Sequence, residues 1–194
     1  VLAGSGALRS LTRSLAFAST AFLGGAGHGA ALRYTIGQTG RFESRLNELQ
    51  AVTRATGQQM RTVSALAKKL GADIEIPGAS AADAAEAITE LAKGGLSLQQ
   101  SMRAAKGTLQ LAAAAKLSVA DAARITVSAL NAFRLSGDNA VKVADLLAAA
   151  ANASQGSISD MALALQQASA QAYASGLTVQ ETVTALTMLA KAGI

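Results

Sequence analysis

Few residues of this chain could do chemistry, and the first to weigh are Asp73 and Glu75, two carboxylates one residue apart in the segment DIEIPG (73–78). Paired carboxylates can divide general-acid and general-base work, but only beside a His, Lys or Tyr, and sequence places none there. A capped, solvated loop is the reading the sequence favours. His28 is the single histidine and there is no cysteine. Thiolate metal sites, iron–sulfur ligation, disulfides and cysteine nucleophiles are thereby excluded, as is most zinc and triad chemistry. Gly25, Gly27 and Ala30 spell GxGxxA around His28, yet no strand pattern precedes them and no βαβ unit follows, so dinucleotide binding is not expected. Asn152-Ala-Ser154 is a glycosylation sequon that needs a secretory context nothing here supports. The HExxH, CxxC, Walker, EF-hand and nucleophile-elbow patterns do not occur. No catalytic residue, metal or cofactor is assigned, and a non-enzyme is expected.

Charge is the next candidate. The net charge is +5, but residues 1–70 carry nine Lys or Arg against Glu43 and Glu48 alone, while residues 71–194 carry eight against ten carboxylates. Arg9, Arg13, Arg33, Arg41, Arg45, Arg54 and Arg61 fall singly at mixed spacings, with Tyr34 and Phe42 beside them. A platform for stacking single strands wants more aromatics. These residues read as a solvated face, and DNA contact is expected to be at most non-specific.

The elements that must position these residues are helices. A chain that is 51% hydrophobic but 3% aromatic, with no Trp and one Pro, builds its core from Ala and Leu. It opens on Val1 rather than Met, which suggests a piece of something longer. Residues 14–32 hold no charge between Arg13 and Arg33 and approach the roughly 20 residues that span a bilayer. Gly, Ser, Thr and His28 dilute that stretch, and it does not read as a secretory signal. It reads instead as a packed or oligomeric helix in which Gly25 and Gly29 form a small-xxx-small pair. Leu15, Phe17, Phe22, Gly25, Gly29 and Phe42 are the candidate oligomer or partner contacts.

From Arg41 onward the pattern is regular. Phe42, Leu46, Leu49 and Val52 recur at helical spacing, with Gly57 expected to close that helix. Met60, Val63, Leu66, Ala67 and Leu70 form a second helix up to Gly71, with Lys68 and Lys69 placed favourably for its dipole. Pro77 biases Ile76 away from helical angles and makes 73–78 the main break. Beyond it, Ser80, Ser97, Ser118, Ser157 and Thr178 each stand three residues before a side-chain acceptor and are the predicted helix caps. Gly95, Gly176 and Gly193 stand where left-handed helix ends belong. The starts at Ser80, Ser118 and Ser157 are 38 and 39 residues apart, the spacing of a helical-hairpin repeat. The expected fold is all-α, an Ala-rich multi-helix domain of about seven to eight short helices in hairpins. It occupies residues 58–194 behind a basic helical N-terminal arm, residues 1–57, Gly/Ala-rich over 14–32.

The phrases AVTRATG (51–57), LAKKLGA (66–72), AADAAEAITELAKGGLS (81–97), GTLQLAAAAKLSVADAARI (107–125) and the run 142–194 resemble the core region of phage tail tape-measure proteins. The most specific parts are Val143-Ala-Asp145 with the Ala-rich run to Asn152, and the Gly-Leu-Ser/Thr breaks with the ending Leu189 to Gly193. The loop 73–78 departs from the family pattern, which more often has a Thr and an aromatic there. The resemblance implies a structural virion component made in the host cytoplasm. Such a protein lies in the tail-tube lumen or tip, supports tail assembly and length determination, and leaves ahead of the DNA at ejection. It also implies a homo-oligomer, trimer favoured over hexamer, with tail-tube and tail-tip proteins as partners. Because helices stop and recap about every 20 residues, the chain reads as a compact domain attached to the ruler. Two alternatives stand beside this: a segment at 14–32 that contacts the host membrane and aids DNA passage, and an unrelated helical-repeat scaffold.

Overall fold

The computed structural model describes residues 28–154 and 156–193, with side chains from Gly40 onward. Eight α-helices and no strand occur among the described residues: α1 (His28–Thr53), α2 (Gly57–Leu70), α3 (Ala81–Lys93), α4 (Leu98–Ala115), α5 (Val119–Ala132), α6 (Ala140–Ser154), α7 (Ile158–Ala174) and α8 (Val179–Lys191). An all-α, multi-helix domain is thus what the chain forms.

Hydroxyl caps set the starts. Ser80, Ser97, Ser157 and Thr178 each accept with the side-chain oxygen from the amide three residues on and donate their own amide hydrogen to that residue's side chain. Ser118 accepts from the Asp121 amide. Thr56 forms a further capping box with Gln59, which corrects the reading of Gly57: it opens α2, and α1 ends at Thr53 with the chain turning through Arg54 at φ 53°. Gly95, Gly176 and Gly193 are left-handed, at φ 99°, 81° and 79°. A break that the hydroxyl pattern missed separates α5 from α6. There Arg134 is left-handed and Gly137–Asn139 form a 3-10 turn behind Ser136, which makes no side-chain cap.

Residues 41–194 form one compact unit, and residues 1–40 fall in another. The division expected after residue 57 lies inside the former, because Leu49 of α1 is fully buried and Phe42 and Leu46 pack beside it. Within this unit the 38-residue spacing has a three-dimensional meaning. The pairs α3/α4, α5/α6 and α7/α8 are successive hairpins, and they stack so that α3, α5 and α7 make one row and α4, α6 and α8 the other. Such a stack propagates by contacts between neighbouring repeats. α2 lies on α3 at the start of the stack.

Ala-rich faces give little area each, so the stack relies on close approach around a few fully buried residues such as Ile88, Leu91, Leu111, Leu130, Leu147 and Leu165. One such close approach brings α4 against the start of α6 and the 3-10 turn before it. A Cβ on Gly107 would lie 2.3 Å from the Val141 amide nitrogen, and one on Gly137 would lie 2.3 Å from the Gln100 carbonyl oxygen. Thr89 and Thr108 are buried on these faces, each donating its hydroxyl hydrogen to the carbonyl four residues back.

Candidate interaction surfaces

The loop between α2 and α3 is built around one cation. Lys106 of α4 reaches Asp73 at 3.3 Å and also pairs with Glu75. This is the partner that sequence spacing could not supply, since it lies 31 residues beyond Glu75. Asp73 accepts the Glu75 amide hydrogen at 3.0 Å. That bond, ahead of Lys106, holds the Asp73 carboxyl below its ordinary value. The Glu75 and Asp73 carboxylates in turn raise the Lys106 ammonium. Both shifts favour the charged forms, so the cluster is a fixed ion pair, and neither group is poised to exchange a proton near neutrality.

The clamp orients the loop. Ile76 is 2% exposed and anchors in the core with Leu49, Val63 and Ile88, while Ile74, between the two paired carboxylates, is 95% exposed. Beside the loop runs a groove of about 320 Å³ floored by Ala113, Ala114, Ala144 and Ala148, with Glu75 and Asp145 at its rim. Gln110 also lines it, with a buried Oε1 that has no hydrogen-bond partner among the described residues.

A second surface lies at the far end of the stack. Of the large hydrophobics exposed among the described residues, Leu163, Tyr173, Leu177, Met188 and Leu189 all belong to the α7/α8 hairpin. Tyr173 is engaged, edge-on to Phe133 at 6.4 Å and under the Arg134 guanidinium at 5.4 Å. Leu163 borders a groove of about 210 Å³ between α5 and α7, with Leu117 and Ile125.

Of the candidate contacts named from sequence, Leu15, Phe17, Phe22 and Gly25 lie outside the described residues, and Gly29 falls in the first turn of α1. Phe42 is half-buried against the α2/α3 core, with the Lys68 ammonium 5.8 Å from its ring centroid. Arg45 pairs with Glu48 at 3.1 Å and Glu86 at 2.8 Å, and Lys93 joins Glu48 at 2.7 Å, so part of the basic excess ties α1 to α3. Among the described residues no helix is long and apolar enough to cross a membrane, and no group of His, Cys, Asp or Glu is arranged to hold a metal.

Residues 64–194 match the family model described as phage-related minor tail protein. A curated relative, the tape measure protein of Pneumococcus phage Dp-1, is 33% identical over 153 residues. That alignment covers 79% of this chain, which spans only 13% of the relative's length. No solved structure matches.

Proposed function

This chain belongs to the phage-related minor tail protein family, and on that premise we propose that it is a folded assembly domain of a tape-measure polypeptide. It acts in the tail-tube lumen or at the tip and leaves with the tape at ejection. The observation that carries this reading is the hairpin stack. A ruler gains length at 1.5 Å per helical residue. Here residues 81–191 are folded into six helices of 13 to 18 residues that turn back on one another in two rows. Such a body offers surfaces to tail-tube and tail-tip proteins and adds little to a measured length.

Two alterations of the parent gene separate a folded domain from a ruler. Deleting residues 118–156 removes the α5/α6 hairpin and leaves Ser157 to cap α7. A ruler would shorten the tail by about 58 Å, whereas loss of a needed domain yields absent or stubby tails. Leu130→Asp keeps the residue count and disrupts the core. A ruler then gives tails of full length, and the assembly domain again gives none. Full-length tails in both cases would overturn the proposal.

A further inference from the structure

The groove beside the 73–78 loop lies inside the stack, between α4 and α6, and its four alanines and Pro77 give it an apolar lining. Its polar lining has one sign. Both charged residues there, Glu75 and Asp145, are carboxylates, and the buried atom without a partner among the described residues, Gln110 Oε1, is an acceptor. The two carboxylates are not equally engaged. Glu75 is shared with Lys106, whereas Asp145 is exposed and forms no ion pair among the described residues, even with Lys142 one turn earlier on α6.

We propose that this groove is a socket for an arginine side chain carried by a segment of a partner protein. The argument is charge and shape complementarity. A volume of about 320 Å³ stands at the small end of the roughly 300–1,000 Å³ of ligand clefts, which suits one long side chain better than a larger ligand. The alanine floor takes the methylene stem, as apolar surface does wherever a long cationic side chain lies along it. The head group then meets Asp145 and Glu75 at the rim, where a cation is attracted and an anion is repelled. Gln110 supplies a third acceptor. Its oxygen is covered in this conformation, so it meets a donor in the groove by turning the terminal amide about its last bond, a soft rotation. Three acceptors on separate residues favour a guanidinium, which fans five N–H donors from one plane, over the compact and strongly hydrated ammonium of lysine. The socket rests on the lining of the groove and not on the tail reading.

The test is an NMR titration of the 194-residue chain with a short alanine peptide, blocked at both ends and bearing one central arginine. Saturable shifts are expected at the Gln110 side-chain amide and at the backbone amides of Ala113 and Ala148. The same peptide with citrulline, which keeps the shape and loses the charge, should bind about ten-fold more weakly or worse, the loss that goes with a charged hydrogen bond. Asp145→Asn should weaken the arginine peptide to a similar degree. Glu43→Gln removes the same charge at an exposed position of α1 outside the groove, and should leave binding unchanged. Gln110→Leu should also weaken binding, while its urea midpoint stays level or rises, because the variant deletes an acceptor that has no partner among the described residues. Equal binding of the two peptides, an Asp145→Asn loss matched by Glu43→Gln, parent affinity in Gln110→Leu, or no saturable shift would each overturn the proposal.

Discussion

Gly107 of α4 stands so close to the start of α6 that a methyl group there would meet the Val141 amide nitrogen at 2.3 Å, with the Ala140 carbonyl carbon at 2.4 Å. The obstacle is backbone, so it cannot rotate away as a side chain would. Contact between α4 and α6, neighbours in one row of the stack, is therefore set by the absence of a side chain at one position.

Gly107→Ala should destabilise the domain by about 1–3 kcal/mol or more, the range for overpacking. It should appear as a lower urea midpoint at unchanged m-value. Gly57→Ala is the control: it lies at the first position of α2 with open space around it, and should be neutral or slightly stabilising.

Core and surface leucines should differ sharply. Leu130, fully buried, should cost about 2–5 kcal/mol on truncation to Ala. Leu163, 53% exposed, should stay within about 0.5 kcal/mol. Equal costs in chemical denaturation would mean that the stack is packed differently.

Lys106→Met should release the 73–78 loop with little global effect, because exposed ion pairs contribute little to stability. Amide exchange at Glu75 should quicken. The Asp73 carboxyl should titrate below its ordinary 3.8 in the parent chain. In the variant it should move up only part of the way, since the Glu75 amide is the larger cause. The depressed Asp73 contributes stability that is complete above 3.8 and is lost as pH falls through its lower folded value. The raised Lys106 contributes below 10.5 and loses its contribution as pH rises through its higher folded value. The clamp therefore holds across the neutral range, and carboxyl NMR titration checks it at the acid end.

Cap removal should be graded by position. Ser80→Ala, in the interior of the unit, should lower global stability by about 1 kcal/mol. Thr178→Ala, at the end of the stack, should instead fray α8 and speed its amide exchange while the α3–α6 amides keep their protection.

The helix starts were legible because a cap is local: Ser80 and Asp83, or Thr178 and Glu181, lie three residues apart and meet within one turn. The start of α6 was not legible, since Ser136 makes no side-chain cap and the turn at Gly137 exists to fit against Gln100, 37 residues earlier. Gly57 misled for a related reason: a glycine stands equally well after a helix or at its first position, and the Thr56–Gln59 box decides between them.

Composition, spacing and caps by themselves determined that this chain is helical, where most helices begin, that a 38-residue unit recurs, and which phage tail family its phrases resemble. Each of these is a short-range property, carried by 3.6-residue periodicity and contacts within one turn. Only the tertiary structure decided that the repeats stack in two rows, that Lys106 closes on Asp73 and Glu75, and that Leu49 belongs to the compact unit. Alanine faces are nearly interchangeable in area, so their pattern alone does not choose a neighbour. That choice falls to the few positions where shape is unforgiving, such as Gly107 against Val141.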